Sequence, residues 1–184
     1  MNDLIVIMGT SGVGKTAVAE YLTTKGITHI SFDDIIKELF GKDNLHLEPQ
    51  EIQTAYEEMG RRVSKQLVET PVAVDEWFYT NKSYEWFIKE IPHNEELTIF
   101  HFWLRAPLET ILERHSHKQG DKPTETMVRE QYEATVHSPG KYYTALHPIS
   151  IDTHEHTVQQ VYEMIHQHIL FHHQMKITER LRDY

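Results

Sequence analysis

The chain has 184 residues, a formal net charge of −10 and no cysteine. This length favours a single domain over residues 1–184, which is large enough to bury a core without a disulfide. The lack of cysteine excludes thiolate metal sites, and the acidic balance disfavours a protein that coats nucleic acid. The first apolar run, residues 4–8, is too short for a signal core or a membrane span. We therefore expect a cytoplasmic monomer or homodimer with no nucleic-acid or membrane partner.

Short apolar runs alternate with helical patterns along the chain. The runs predicted to be strands are residues 4–8, 27–32, 72–74, 97–104 and 148–151. Helical patterns follow them, and the clearest are residues 15–25, 33–40, 49–69, 83–91 and 124–136. Strands that alternate with helices pair in parallel and carry helices on both faces. The sequence thus predicts a three-layer α/β fold with a five-stranded parallel sheet.

Capping residues mark several of the predicted helix ends. Gly26 and Gly41 follow helical patterns and are predicted C-caps, and Pro49 suits the first turn of the long helix. Thr157 and Gln160 have the spacing of a capping box before the last helix. Residues 175–184 are polar and are predicted to fray as a tail.

A glycine-rich loop follows the first predicted strand and fits the pattern G-x-x-x-x-G-K-[ST] at every fixed position. Its residues are Gly9, Thr10, Ser11, Gly12, Val13, Gly14, Lys15 and Thr16. The glycines let backbone N–H groups curl around phosphate oxygens, and Lys15 adds a positive charge for the β- and γ-phosphates. The Thr16 hydroxyl is a ligand for Mg²⁺. The loop therefore predicts a site for a nucleoside triphosphate with Mg²⁺.

Carboxylates stand at the ends of two other predicted strands. Asp75 ends the third strand, where it is predicted to join Thr16 near the metal, and Glu76 is predicted to face substrate or solvent. Asp33 directly follows the second strand and is predicted to lie beside the phosphate loop, where a carboxylate can accept the proton of an attacking hydroxyl. Asp34 is predicted to cap the following helix or to face solvent.

A cationic segment with Gly and Pro residues follows the fourth predicted strand. It covers about residues 114–139 and is predicted to close over the nucleotide as a short lid. Arg114, Lys118 and Lys122 are its candidate phosphate contacts, and the Arg114 guanidinium can also stack on adenine. His115 and His117 would add positive charge to the lid when they are protonated.

The phosphate loop by itself is shared by switch proteins, motors and kinases. A GTPase would need Asn/Thr-Lys-x-Asp after a later strand, and residues 81–84 lack the Asp. A motor or an AAA-type ATPase usually has a longer chain. A small-molecule kinase needs a base, a cationic lid and an adenine pocket, and each has a candidate here. A nucleotide-binding regulatory protein, or a slow ATPase without a small acceptor, is the alternative.

The acceptor pocket is predicted between the second strand, the long helix and the end of the third strand. Arg61 and Arg62 lie on the polar side of that helix, and Trp77, Phe78 and Tyr79 offer rings on which an aromatic or sugar-like acceptor would stack. The other interpretation is equally compatible with the sequence, with the arginines solvated and the rings in the core.

Histidine is unusually frequent, with 14 residues in the chain. A group on the last predicted helix contains His166, His168, His172 and His173. No His-Glu-x-x-His pattern accompanies them, so a solvated helix face is predicted and no histidine is assigned to a metal.

The chain resembles the chloramphenicol phosphotransferase-like branch of the small P-loop kinases, relatives of shikimate and gluconate kinases. The resemblance rests on the phosphate loop, the lid, and residues 32–36, 74–76, 132–137 and 151–157. It implies a kinase that uses ATP and Mg²⁺ on a small hydroxylated acceptor, with Lys15, Asp33 and Arg114 in catalysis. Residues after the last strand border adenine in such kinases, which implies this role for Asp152 and Thr153. In the lid, Lys118 and Lys122 stand where the relatives more often carry Arg.

Overall fold

Five parallel strands form the central sheet in the computed structural model, which describes residues 2–42, 46–78, 80–92, 96–117, 122–137 and 146–182. They are β1 (Asn2–Met8), β2 (Thr28–Ser31), β3 (Val72–Asp75), β4 (Leu97–Arg105) and β5 (Ile149–Asp152). The strand order is β2-β3-β1-β4-β5, and every neighbouring pair is parallel. The predicted five-stranded parallel sheet is confirmed.

Seven α-helices connect and cover the strands in the described part of the chain. They are α1 (Lys15–Thr23), α2 (Phe32–Phe40), α3 (Pro49–Gln66), α4 (Asn81–Ile88), α5 (Leu108–Ser116), α6 (Glu125–His137) and α7 (Val158–Arg182). None of these helices is both long and apolar enough to cross a lipid bilayer.

The alternation of side chains along β1 divides the core into two layers. Leu4, Val6 and Met8 pack with the buried faces of α2, α3 and α4. Ile5 and Ile7 point the other way and pack with the buried faces of α1, α5, α6 and α7. A parallel strand covered on both faces reads as a continuous apolar run, and this is why the first strand is evident in the sequence.

Several helix ends follow the capping signals. Gly41 adopts a left-handed φ of 63° at the end of α2, as predicted. Thr157 and Gln160 form the predicted capping box, because each side chain accepts a hydrogen bond from the other residue's backbone N–H. Asp34 is not the cap of α2, since Ser31 Oγ occupies that position and accepts a hydrogen bond from the Asp34 N–H. Similarly, α1 is capped at Thr24 rather than at Gly26, which turns the chain into β2.

The prediction of a fraying tail from residue 175 is wrong for residues 175–182, which continue α7. Two side chains, one just before this part of the helix and one at its start, hold α7 against the sheet. His173 Nε2 lies 2.9 Å from Asp3 Oδ2 at the start of β1, and Lys176 Nζ donates to Thr98 Oγ1 at 3.0 Å. These polar contacts anchor the helix in a region where the apolar side chains of Met175 and Ile177 are exposed.

The fold brings the ends of the central strands together at one edge of the sheet. β1 lies between β3 and β4, and its last residue, Met8, leads directly into the glycine-rich loop. Ligands of open parallel sheets bind outside the carboxyl ends of the strands, where neighbouring connections diverge. The candidate site is therefore this carboxyl edge.

Candidate active site

The glycine-rich loop has a backbone that requires its glycines. Gly9 has φ of 144°, and a Cβ there would lie 2.6 Å from the Leu104 carbonyl oxygen and 2.9 Å from a Val13 methyl carbon. Gly12 and Gly14 also have positive φ, of 84° and 105°. The buried Val13 side chain anchors the middle of the loop in the core under α1. The loop is thus a rigid turn that only glycine allows at these positions.

The N-terminus of α1 opens toward this loop. Gly14 is its N-cap, and among the residues that the structure describes no side chain caps this helix end. Uncapped N–H groups and the helix dipole favour a bound anion. Lys15 Nζ folds back along the loop and donates to the carbonyl oxygens of Gly9 at 2.8 Å and Thr10 at 3.2 Å. The loop therefore has the shape and charge of a phosphate cradle.

The predicted metal ligands Thr16 and Asp75 are in direct contact. Thr16 Oγ1, at the start of α1, donates to Asp75 Oδ2 at 2.6 Å. The two groups come from α1 and β3, and Asp75 is buried. A hydroxyl and a carboxylate oxygen are donors that Mg²⁺ prefers, so this pair fits the predicted ion.

A histidine that the sequence interpretation missed completes this group. His29 Nε2 of β2 lies 2.7 Å from the other oxygen of the same carboxylate, Asp75 Oδ1. Burial lowers the pKa of His29, but the hydrogen bond and the charge of Asp75, with smaller effects of Asp34 and Glu20, outweigh it and raise this pKa above its ordinary value. In the sequence, His29 is visible only as a polar residue within a short predicted strand. Its contact with Asp75 could be inferred only if the pairing of β2 with β3 were already known.

Glu76, directly after β3, is a buried acid rather than a solvent-facing one. Tyr56 Oη of α3 donates to Glu76 Oε1 at 3.1 Å. Burial raises the pKa of Glu76 well above its ordinary value; the charge of Lys15 opposes this rise, and the charge of Asp33 adds to it. The sequence interpretation did not identify this role of the Tyr56 hydroxyl.

Asp33 lies in the first turn of α2 and its side chain is exposed. One strand, β3, separates β2 from β1, so Asp33 follows a strand that does not adjoin the phosphate loop directly. Its charge nevertheless acts on Glu76, together with that of Lys15. Lys15 and Asp33 therefore lie around the same buried carboxyl group.

The predicted adenine-side residues Arg114 and Thr153 also come together. The two terminal nitrogens of Arg114 donate to the Val13 carbonyl at 3.1 Å, to Thr153 Oγ1 at 3.0 Å and to the Thr153 carbonyl at 2.7 Å. Thr153 Oγ1 also lies 2.8 Å from the Val13 carbonyl oxygen. Asp152 Oδ1 accepts from the His154 N–H at 2.8 Å and shapes the turn after β5. Arg114 thus braces the loop from the end of α5.

Two residues of the predicted lid, among those that the structure describes, are placed differently from the prediction. His115 is buried in α5, with Nε2 2.7 Å from the Pro123 carbonyl oxygen, so it does not line an open lid. Lys122 Nζ donates to the carbonyl oxygens of His115 and Ser116 at the end of α5. This bonding follows from the orphan carbonyls of a helix C-terminus, which attract a cation. Lys118 lies outside the described residues.

The predicted acceptor residues divide into surface and core. Arg62 forms a two-pronged ion pair with Glu38 of α2, and both Arg61 and Arg62 pair with Glu58. Phe78 is buried and packs among other rings, whereas Trp77 is half-buried at the edge of that core. Tyr79 lies outside the described residues. The structure gives both arginines acidic partners, and acceptor binding by Arg61, Arg62 and Trp77 stays a prediction.

The prediction of a solvated histidine face on α7 is wrong for three of its four members. His168, His172 and His173 are half-buried and meet the ring of Phe100 edge-on, at centroid distances of 6.2, 5.3 and 5.9 Å. His166 is exposed and stacks on Tyr162. An imidazole packs well on an aromatic edge, which explains why these polar residues cover part of the sheet.

A parallel sheet whose central strand leads into this phosphate loop, with Thr16 and Asp75 in contact beneath it, defines a P-loop nucleotide-binding fold. A protein-family model described as an AAA domain matches residues 4–138, and the chain belongs to this family, AAA_33. Chain length therefore does not exclude a family that carries the AAA description. No curated protein matches the chain.

Solved structures of similar fold include two that are described as kinases and one that is described as a resistance protein. A sugar kinase from Janibacter sp. HTCC2649 is 17% identical, with a TM-score of 0.62, over 90% of this chain and 92% of that one. A gluconokinase from Sinorhizobium meliloti 1021 is 20% identical, with a TM-score of 0.60, over 88% of each chain. A tunicamycin resistance protein from Deinococcus radiodurans is 20% identical, with a TM-score of 0.64, over 92% and 96%. At these identities the likeness establishes a shared α/β fold.

Proposed function

We propose that the chain is an ATP-dependent phosphotransferase that moves the γ-phosphate to a hydroxyl of a small molecule. One observation carries the proposal: at the carboxyl edge of the sheet, Lys15 Nζ lies along the phosphate loop, 2.8 Å from the Gly9 carbonyl oxygen, and Thr16 Oγ1 donates to the Asp75 carboxylate at 2.6 Å. The exposed carboxylate of Asp33, which is suited to an acceptor hydroxyl, lies at the same edge in the first turn of α2. Fold relatives described as a sugar kinase and a gluconokinase support the same class of reaction.

The phosphate loop would hold the triphosphate of ATP. Backbone N–H groups at the start of α1 and the Lys15 ammonium face the β- and γ-phosphates, and Lys15 gives up its bonds to the Gly9 and Thr10 carbonyls to do so. Arg114 and Thr153 brace the loop on the proposed adenine side, beside Asp152. Thr16 and Asp75 would hold Mg²⁺, which when bound neutralises charge on the phosphate oxygens.

In the proposed transfer, Asp33 accepts the proton of the acceptor hydroxyl as its oxygen attacks the γ-phosphorus. The bond from that phosphorus to the bridging oxygen breaks, and ADP leaves with the electron pair. The protein supplies position and charge rather than a covalent intermediate. Asp33 is exposed at the carboxyl edge, so an acceptor can reach it.

The proposed acceptor is a hydroxylated small molecule, sugar-like or aromatic, rather than a nucleic acid. The chain's net charge of −10 disfavours the approach of a polyanion. The lack of cysteine fits the reducing cytoplasm, where we propose that the enzyme acts.

The test measures ADP release from Mg·ATP against a panel of hydroxylated metabolites and antibiotics. At least one acceptor should raise ADP release above the rate without acceptor. Asp33→Asn should then lower acceptor-stimulated release by about 100-fold or more, because the carboxylate that takes the proton is lost. ATP binding should be unchanged.

Asp34→Asn is the matched control, since Asp34 lies in the same helix turn and is also exposed. It should leave acceptor-stimulated release within about threefold of wild type. Full activity of Asp33→Asn would refute the base assignment. If no acceptor in the panel stimulates ADP release, the alternative of a nucleotide-binding regulatory protein or slow ATPase replaces the kinase proposal.

A further inference from the structure

We propose that His29 is a positioning residue that holds the Asp75 carboxylate in the orientation needed to bind Mg²⁺ with the nucleotide. The inference rests on the proposed function, because it takes Asp75 as a ligand of Mg·ATP. The carboxylate is held at both oxygens: His29 Nε2 lies 2.7 Å from Oδ1, and Thr16 Oγ1 donates to Oδ2 at 2.6 Å. Since a carboxylate oxygen only accepts, the Nε2–H of His29 is the donor.

The strand register explains how His29 reaches this carboxylate. His29 pairs with Ala73 across the β2–β3 ladder, and Asp75 lies two residues beyond Ala73. Residues two apart on a strand point to the same face, and Ala73 belongs to the core layer under α1. His29, Asp75 and the start of α1 therefore meet on one face, at the diagonal distance that a long side chain spans.

The contact is shielded from water. The side chain of His29 is 13% exposed and that of Asp75 is 5% exposed. Hydrogen bonds in such surroundings orient their partners more strongly than hydrogen bonds at the surface. The other charged groups near the imidazole are Glu20 of α1 and Asp34 of α2. Neither takes the place of Asp75 as its bonded partner, because the hydrogen bond runs to Asp75 Oδ1.

In this arrangement the two oxygens of the Asp75 carboxylate have different roles. His29 holds Oδ1, so Oδ2 stays beside the Thr16 hydroxyl, which is the other proposed ligand. Mg²⁺ demands near-ideal octahedral geometry, and a carboxylate free to rotate would meet that demand less often. Loss of a partner that orients a metal ligand typically costs about 10–100-fold in metal affinity.

The competing explanation is that His29 only ties the edge strand β2 to β3. That role predicts lower stability without any preference for the metal. The two explanations differ in the metal-dependent part of nucleotide binding, measured as the ratio of the ATP-analogue Kd in EDTA to the Kd in Mg²⁺. A general loss of structure changes both constants and leaves their ratio unchanged.

The experiment uses calorimetry with an ATP analogue that has a methylene group between its β- and γ-phosphorus atoms. We expect His29→Leu to lower the ratio by about 10–100-fold. His29→Asn provides a second removal, since its amide is too short to reach Asp75, and it should act in the same direction. His29→Gln places an N–H donor at about the reach of Nε2 and should restore most of the ratio.

His173→Leu is the matched control, because His173 forms an equally shielded contact with another aspartate. Its Nε2 lies 2.9 Å from Asp3 Oδ2, and the two side chains are 14% and 12% exposed. We expect this variant to lose stability and to keep the wild-type ratio. The inference is overturned if the His29 variants keep the ratio within about twofold, or if His173→Leu lowers it equally.

Failure of this inference is distinguishable from failure of the proposed function. If wild type binds the analogue with a Mg²⁺-dependent ratio but phosphorylates no acceptor, the phosphotransferase proposal fails while the role of His29 is still decided by its variants. If acceptors are phosphorylated and the His29 variants behave as wild type, only the positioning role is wrong. If wild type shows no Mg²⁺-dependent binding, both are wrong.

Discussion

Two histidine–aspartate pairs lie at opposite edges of the same parallel sheet. At the carboxyl edge, His29 contacts Asp75, whose second oxygen accepts the Thr16 hydroxyl. At the amino edge, His173 contacts Asp3, whose second oxygen is buried without a hydrogen-bond partner among the described residues. The contacts are similar in length and burial. The pairs therefore differ in what surrounds them rather than in their own chemistry.

The difference shows how the sheet separates function from stability. Asp75 stands beside a glycine-rich loop and an uncapped helix N-terminus, where backbone N–H groups gather. Asp3 contacts His173 in the C-terminal half of α7, whose ring also meets Phe100, and this contact holds a polar helix against the sheet. The same two residue types thus support ligand binding at one edge and helix packing at the other.

The largest expected effect comes from removing each aspartate in turn. Asp75→Asn keeps the shape but loses the negative charge proposed to face Mg²⁺, and acceptor-stimulated turnover should fall by about 1,000-fold, or roughly 4 kcal/mol. Asp3→Asn should leave turnover within about twofold and cost about 1 kcal/mol of stability. Steady-state kinetics and urea unfolding measure the two effects. Equal losses of turnover would break the comparison.

A smaller effect is expected from glycines at the two edges. Gly9→Ala introduces a Cβ 2.6 Å from a backbone carbonyl oxygen at φ of 144°, and it should cost about 3 kcal/mol and impair nucleotide binding. Gly26, before β2 at the amino edge, has φ of 82° with open space around its Cβ position. Gly26→Ala should cost about 1 kcal/mol and leave nucleotide binding unchanged. Thermal unfolding with and without ATP tests both variants, and an equal loss of binding would contradict the assignment.

The smallest effect concerns a histidine that contacts no carboxylate in the described structure. His101 of β4 lies 2.8 Å from the Tyr84 hydroxyl, and burial lowers its pKa to about 4. A histidine whose pKa falls on folding stabilises the fold above its unfolded pKa of about 6.5 and loses this contribution as the pH falls toward 4. Between pH 7.5 and 4.5 we expect the free energy of unfolding to fall by roughly 2–3 kcal/mol.

His101→Gln keeps an acceptor for Tyr84 but does not titrate, so it should remove this part of the pH dependence. The free energy of unfolding at the two pH values provides the measurement. His29 is the contrasting case, because its raised pKa makes its contribution complete below about pH 6.5 and lost as the pH rises through the folded value. If the free energy of unfolding of His101→Gln depends on pH as in the wild type, the burial of His101 does not cause the loss of stability between pH 7.5 and 4.5.

The parts of the fold that depend on local pattern were predictable from sequence. The apolar run at residues 4–8, the loop at residues 9–16 and the capping box at Thr157 and Gln160 all appear as expected. Each depends on residues close together in the chain, whose spacing alone determines the geometry. The contact between Thr16 and Asp75 is the long-range feature that the phosphate-loop pattern also predicted.

The features that escaped prediction depend on which strands are neighbours. The contact of His29 with Asp75 requires β2 to pair with β3, and the bond from Tyr56 to Glu76 requires α3 to pack over the end of that strand. The continuation of α7 depends on Asp3 and Thr98, more than 70 residues earlier in the chain. A periodic pattern does not contain such pairings, because they arise from tertiary packing.

The bond between Thr153 and the Val13 carbonyl joins residues 140 positions apart. This long separation matters for the order in which the site is synthesised and for truncated fragments of the chain. The loop at residues 9–16 leaves the ribosome early, but the side chains that brace it arrive only with Arg114 and, near the end, Thr153. A fragment that stops where the family match stops, at residue 138, lacks that second brace. The nascent chain therefore gains this brace only after β5 and Thr153 have been synthesised.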